Sequence, residues 1–211
     1  MANELLYALW ETLYMVFLST FFSGVFGFAL AIVMILTVSN GLRPNRALYS
    51  ALSFVVNLLR SFPFIILMIA IIPLTRLIVG TSIGSTASIV PLTIAATPFV
   101  ARLVEGSLLE VDPGVVEAAR SFGASDMQIV FGVMVREAMP SIVLNGAVVA
   151  INLLGYSAMA GAVGGGGLGD LAIKYGYNRF QTDVMVYSVV ILILIVQLIQ
   201  SAGNAVYERI K

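Results

Sequence analysis

The chain has 211 residues, with 11 acidic and 11 basic side chains that cancel to a net charge of zero. Of these residues 60% are hydrophobic and only 10% charged, far below the roughly one quarter of charged residues in soluble domains, so the apolar surface is too large for a water-soluble core and the bilayer is its natural solvent. Neutral charge leaves no basic patch for nucleic acid, and the absence of cysteine and histidine excludes disulfides, thiolate nucleophiles and imidazole-bound metals.

The first eleven residues carry Glu4 and Glu11 and no Lys or Arg. A cleaved export signal has the opposite charge pattern, so the first apolar run is expected to stay in the membrane. A spanning helix needs about 20 apolar residues, and the gaps between charges serve as the ruler. Thr12 to Leu42 is uncharged and predicts a first span over 12–38, ended by Ser39-Asn40-Gly41 and Pro44. A second span is predicted over 54–75. It holds Arg60, which must snorkel to an interface, and is interrupted by Pro63 and Pro73. Arg60 reads as an interface anchor or as a residue coupling helices. The small, polar stretch Gly80 to Ser85 precedes a third span over 86–108, in which Arg102 and Glu105 can pair at i, i+3. Spans four and five follow over 141–162 and 184–205. The expected fold is all-α: one polytopic domain, 1–211, with five transmembrane helices.

An odd number of spans puts the termini on opposite sides. With the N-terminus outside, the inner side holds Arg43, Arg46, Arg60, Arg102, Arg120, Arg136, Arg209 and Lys211, and the outer side only Arg76, Lys174 and Arg179. The excess of Lys and Arg belongs in the cytoplasm. This predicts an outer N-terminus and a cytoplasmic C-terminus, on condition that span two crosses fully.

The cytoplasmic loop over about 109–136 carries local signals of its own. Asp112 suits a helix N-cap and Pro113 the first helical position. Val115, Ala118, Ala119 and Phe122 fall at i, i+3, i+4 and i+7, which makes one apolar stripe. Gly123 stops the helix. Ser125 and Gln128 form a capping box for a second helix with Met127, Ile129 and Val130. The loop therefore reads as helix, glycine bend, helix, outside the membrane. Its stripe either packs back on the protein's own spans or docks in the groove of a soluble partner.

Glu117-Ala118-Ala119, three residues, then Gly123 resembles the EAA loop of ABC importer permeases. Asn57-Leu58-Leu59-Arg60-Ser61-Phe62-Pro63-Phe64-Ile65, Arg76 to Gly84, Gly155 to Gly164 and Lys174-Tyr175-Gly176-Tyr177 look like the methionine-importer subfamily of those permeases. One departure stands out: where that family has Ile-x-Leu-Pro after the glycine, this chain has Val133-Met134-Val135-Arg136, with a proline only at Pro140. The resemblance implies a permease in the bacterial inner membrane that takes up D/L-methionine by alternating access. Its implied partners are two ATPase subunits, a second copy of the chain and an extracytoplasmic binding protein docking near 76–85 and 163–183. Val115, Glu117, Ala118, Ala119, Phe122 and Gly123 would then meet the ATPase, and Tyr156, Ser157 and Met159 would lie along the translocation path, Met159 at a gate.

The residues themselves weigh against other classes. Gly164-Gly165-Gly166-Gly167-Leu168-Gly169 lacks the Gly-Lys-Ser/Thr of a phosphate loop, and reads as a flexible exit from span four. Asn145, Asn152 and Tyr156 share a helical face, which suits either interhelical hydrogen bonds or a polar path. No nucleophile lies beside a base, so no catalytic residue and no cofactor is expected, and ATP hydrolysis must reside in a partner. An ion-coupled secondary amino-acid transporter is the alternative, and it would need an ionisable side chain deep in a span; a membrane scaffold without transport is a third possibility.

Overall fold

The computed structural model describes residues 2–211, and every regular element among them is helical. In chain order these are α1 (Ala2–Thr37), α2 (Arg46–Arg60), α3 (Phe64–Ala70), α4 (Ile72–Val79), α5 (Ser85–Leu109), α6 (Pro113–Ser121) and α7 (Asp126–Ile129). A π-helical stretch, Val130–Met134, leads into α8 (Val135–Gly161). Then come α9 (Gly167–Leu171), a second π-helical stretch, Ala172–Tyr177, and α10 (Thr182–Ile210). Four helical runs are long and apolar enough to cross a membrane, or five if the bent pair α2–α3 counts as one.

α1 is 36 residues long, about 54 Å at roughly 1.5 Å per residue, and begins well before the expected start at residue 12. It lies along α5, and Gly27 sets their separation. A Cβ on Gly27 would stand 2.5 Å from the Val100 Cβ and 2.8 Å from the Thr97 carbonyl oxygen. Small residues give membrane helices this closeness, where lipid supplies no hydrophobic push.

The second predicted span, 54–75, is not a continuous helix. α2 ends at Arg60, and the axis turns by 101° before α3. Pro63 has no N–H to donate and biases the residue before it away from the helical region. A second interruption at Ile71 lets Pro73 sit in the first turn of α4, where its missing N–H costs nothing. The segment still carries the chain from the end of α1 to the start of α5.

α5 is the central element. Its Ser107 hydroxyl lies 2.9 Å from that of Ser141 on α8, and the Asn145 amide donates to Ser107 Oγ at 2.9 Å and to the Leu103 carbonyl at 3.4 Å. Asn145→Leu removes this cross-span link. It is expected to cost about 1 kcal/mol, readable as a lower midpoint in thermal unfolding of the detergent-solubilised protein.

α7, the π-helical stretch and α8 form one helical run, Asp126–Gly161. The expected second loop helix is therefore the loop-side end of the long run that holds predicted span four. Ile129 and Val130 are fully buried there, while Met127 is half exposed.

The ends of the bundle are distinct. At one end Arg43 pairs with Asp126, and Arg120 donates to the Leu42 carbonyl, joining the α1–α2 turn to the α6–α7 loop. At the other, Gly84 N–H donates to the Gly164 carbonyl at 2.9 Å, and the Tyr175 hydroxyl donates to Glu4 at 3.2 Å. α10 starts at this second end, where Gln181 N–H bonds the Tyr175 carbonyl. It packs on α8 with Gly203 against Ala147.

Candidate coupling loop and gate

The loop helix forms for the reasons the sequence gives. The Asp112 carboxylate accepts from the Gly114 N–H at 2.7 Å, and Pro113 opens α6. Phe122 is the cap residue. Gly123 follows at φ +80°, a left-handed conformation that glycine adopts without Cβ strain. Gly123 N–H donates to the Arg120 carbonyl at 3.0 Å and Ala124 N–H to that of Ala119 at 3.1 Å, the paired bonds of a Schellman motif. Beyond it, Ser125 and Gln128 form the expected capping box.

The expected stripe divides. Ala119 turns inward with Val116, and both pack with Ala124 against the core. Val115, Glu117 and Ala118 are exposed, and Phe122 is 91% exposed. The helix is wedged by Val116 rather than presenting one continuous face, and its outward row is Val115, Ala118 and Phe122. Behind α6 lies a cavity of about 450 Å³, bordered by Leu36, Asn40, Leu42, Val116, Glu117 and Arg120. Gly123→Pro would impose φ near −65° and delete the N–H to Arg120. It is expected to misdirect the loop while membrane insertion remains, which limited proteolysis of the loop measures.

The residues predicted for the path fall in different surroundings. The Tyr156 ring stacks on Phe64 of α3, with centroids 4.7 Å apart and planes 5° from parallel. Ser157 is buried, and its hydroxyl donates to the Leu154 carbonyl of its own helix at 2.7 Å. Met159 is 46% exposed. Asn152 is also exposed and bonds its own helix through the Val148 carbonyl. Asn145, Asn152 and Tyr156 thus share a helical face but not an environment.

After Met159 the chain makes a tight elbow, where the glycine run predicts a flexible exit. Gly164, Gly166 and Gly167 all have φ between 78° and 85°. A Cβ on Gly161 would lie 2.3 Å from the backbone N of Asp170, so glycine is needed for the two arms to touch. The returning segment, α9 and the π-helical stretch after it, packs against α1, α8 and α10. Its signal in the sequence is the glycine run Gly164 to Gly167, which alone does not separate a tight elbow from a loose linker.

Near the loop end, Arg102 pairs with Glu105 at 2.7 Å, donates to the Ser53 carbonyl at 3.3 Å and Asn57 Oδ1 at 3.2 Å, and also bonds the Ser53 hydroxyl. It joins α5 to α2. The Arg60 guanidinium stands 5.9 Å from the Phe99 ring centre, so Arg60 also contacts α5. Glu105, the buried carboxylate in these spans, is engaged by Arg102. No group of three or more Asp or Glu side chains among the described residues is placed to hold a metal ion.

Long apolar helices, an exposed capped loop at one end and a glycine elbow at the other define the membrane-spanning class of subunit, one that lacks a nucleotide-binding loop. The chain belongs to the family of binding-protein-dependent transport system inner membrane components, whose profile matches residues 27–211. It is 52% identical over 209 residues to the probable D-methionine transport system permease protein MetI of Vibrio cholerae, covering 99% of this chain and 93% of that one. It is 49% identical over 152 residues to the D-methionine transport system permease protein MetI of Escherichia coli K12, covering 72% and 70%. A chain from a crystal structure of inward-facing MetNI methionine ABC transporter matches with a TM-score of 0.99 at 46% identity, over 100% of this chain and 98% of the other. An amino acid ABC transporter at 20% identity and a TM-score of 0.80 shares the fold.

Proposed function

We propose that this chain is the transmembrane subunit of an ABC importer that takes up D- and L-methionine, driven by a separate ATPase. The observation that carries this reading is the overlay along the whole chain with the membrane subunit of a methionine ABC transporter, at 46% identity. The geometry gives it a mechanism. The outward row Val115, Ala118 and Phe122, with Glu117 beside it, is the surface offered to the ATPase, and Gly123 fixes the angle at which it is offered. Asp126–Gly161 is one helical run, so a push on the loop reaches Met159 about 50 Å away at roughly 1.5 Å per residue. Both sites then bias one two-state arrangement of helices.

Met159 and Tyr156 are the gate residues in this reading, with Tyr156 steadied by Phe64; Ser157 contributes packing. Five crossings are too few to enclose an amino acid, so two copies line the path, served by two ATPases. The binding protein docks at the end that holds Gly84 and the elbow. The N-terminus faces that outer side and the C-terminus the cytoplasm. In support, α1 and α10 both start at the elbow end, and α2 to α4 return the chain between α1 and α5, which makes the bent segment the fifth crossing.

Co-purification tests the assembly. A tagged chain should bring down the soluble ATPase in stoichiometric amount, and Glu117→Lys should reduce that yield without reducing the membrane-inserted chain. A wild-type chain that never retains an ATPase contradicts the reading.

A further inference from the structure

The elbow after Met159 is held from outside by the first helix. The Glu11 carboxyl accepts from the Gly167 N–H at 2.9 Å, and the Thr12 hydroxyl oxygen accepts from the Leu168 N–H at 2.9 Å. Thr12 is 1% exposed, and its own proton goes to the Ala8 carbonyl at 3.0 Å. The approach is close: a Cβ on Gly166 would lie 2.9 Å from Glu11, and one on Gly167 2.6 Å from Thr12. Two consecutive left-handed glycines turn two consecutive N–H groups toward α1. On its opposite side the elbow touches α5, where a Cβ on Gly165 would lie 2.6 Å from Ser88 Oγ.

We infer that Glu11 and Thr12 are positioning residues for transport: they latch the elbow to α1 and thereby set the resting position of the Met159 gate. An uncapped pair of buried N–H groups is costly, so the elbow keeps its closed register while both acceptors are present. Any outward swing of the end of α8 must exchange or carry these two bonds. α1 is thus a fixed post for the gate. The inference rests on the gate reading of Met159 given above.

Because the chain has no cysteine, Val163→Cys places a single thiol on the elbow at a 38% exposed position. In the complete complex reconstituted in vesicles, its labelling by a membrane-impermeant maleimide is measured without ATP. Glu11→Leu and Thr12→Val are expected to speed labelling about tenfold, the weight of one buried hydrogen bond, and to raise ATP hydrolysis in the absence of binding protein. Glu11→Gln and Thr12→Ser keep an oxygen acceptor and are expected to behave as wild type, which a general loss of packing would not reproduce. Should Glu11→Leu fail to fold, Gly166→Ala crowds the same Glu11 carboxyl from the elbow side and is expected to give the same faster labelling. Unchanged labelling in Glu11→Leu and Thr12→Val, or equal effects from Glu11→Gln and Glu11→Leu, overturns the latch. Labelling needs no transport, so a latch that responds in vesicles that take up no methionine would sink the transporter reading and leave the latch standing.

Discussion

Phe122→Asp is expected to leave the chain inserted and folded but to weaken its hold on the ATPase by about 30-fold or more, the loss typical of an aromatic hot spot worth at least about 2 kcal/mol. Phe122 caps α6 with 91% of its surface exposed, so the folded state gives up almost no packing. A large apolar ring held out at the end of a rigid cap is what a partner's groove requires. Gly123 and the Ala124–Ala119 bond hold the backbone beneath it. Titrating purified ATPase against the variant in detergent reads the affinity, and thermal unfolding of the chain alone serves as the folding control. Equal affinity for wild type and variant would remove Phe122 from the interface. Ala119→Ser should be milder there, since Ala119 faces the core.

Arg102→Ala is expected to be strongly destabilising, at about 3–5 kcal/mol, because it leaves a buried carboxylate without its charged partner. Glu105 is 3% exposed and Arg102 19%, and Tyr49 of α2 lies beside both. Removing the arginine also frees Ser53 and Asn57, the polar anchors of α2 on α5. Arg102→Lys keeps the charge but lacks the planar fork that reaches three partners, so most of the loss should persist. The double change Arg102→Ala with Glu105→Leu should recover much of it, since no charge is then stranded. Unfolding midpoints of wild type, Arg102→Ala, Glu105→Leu and the double variant form the cycle that checks this. Strictly additive losses would mean that the pair is not coupled.

Much of this architecture was legible in the residues. The charge-free runs marked α1, α5, α8 and α10, because a stretch of helix facing lipid tolerates few charges. The Asp112 cap, the Gly123 stop and the Ser125–Gln128 box are local chemistry, and each formed where it was read. What depended on packing was harder to read. Pro63 announced an interruption, but not a turn of 101°. Helical spacing grouped Ala119 with Phe122, whereas Val116 wedges α6 so that Ala119 faces the core and Phe122 the outside. The join of α7 to α8 through Val130–Met134 was hidden, since the wider helical turns there have no composition of their own. The glycine run reads as a flexible exit because the same glycines serve a tight elbow and a loose linker alike. Only the facing Glu11 and Thr12, some 156 residues away in the chain, reveal the difference.

In the proposed cycle, a partner's ATP hydrolysis, delivered through the α6 loop, moves methionine across this chain. Uptake of labelled methionine into vesicles holding the reconstituted permease and ATPase, with binding protein outside and ATP inside, tests it most directly. Accumulation is expected to need all of these components and to collapse in Phe122→Asp. Accumulation by the chain alone under an ion gradient, indifferent to ATP and to Phe122, would contradict it.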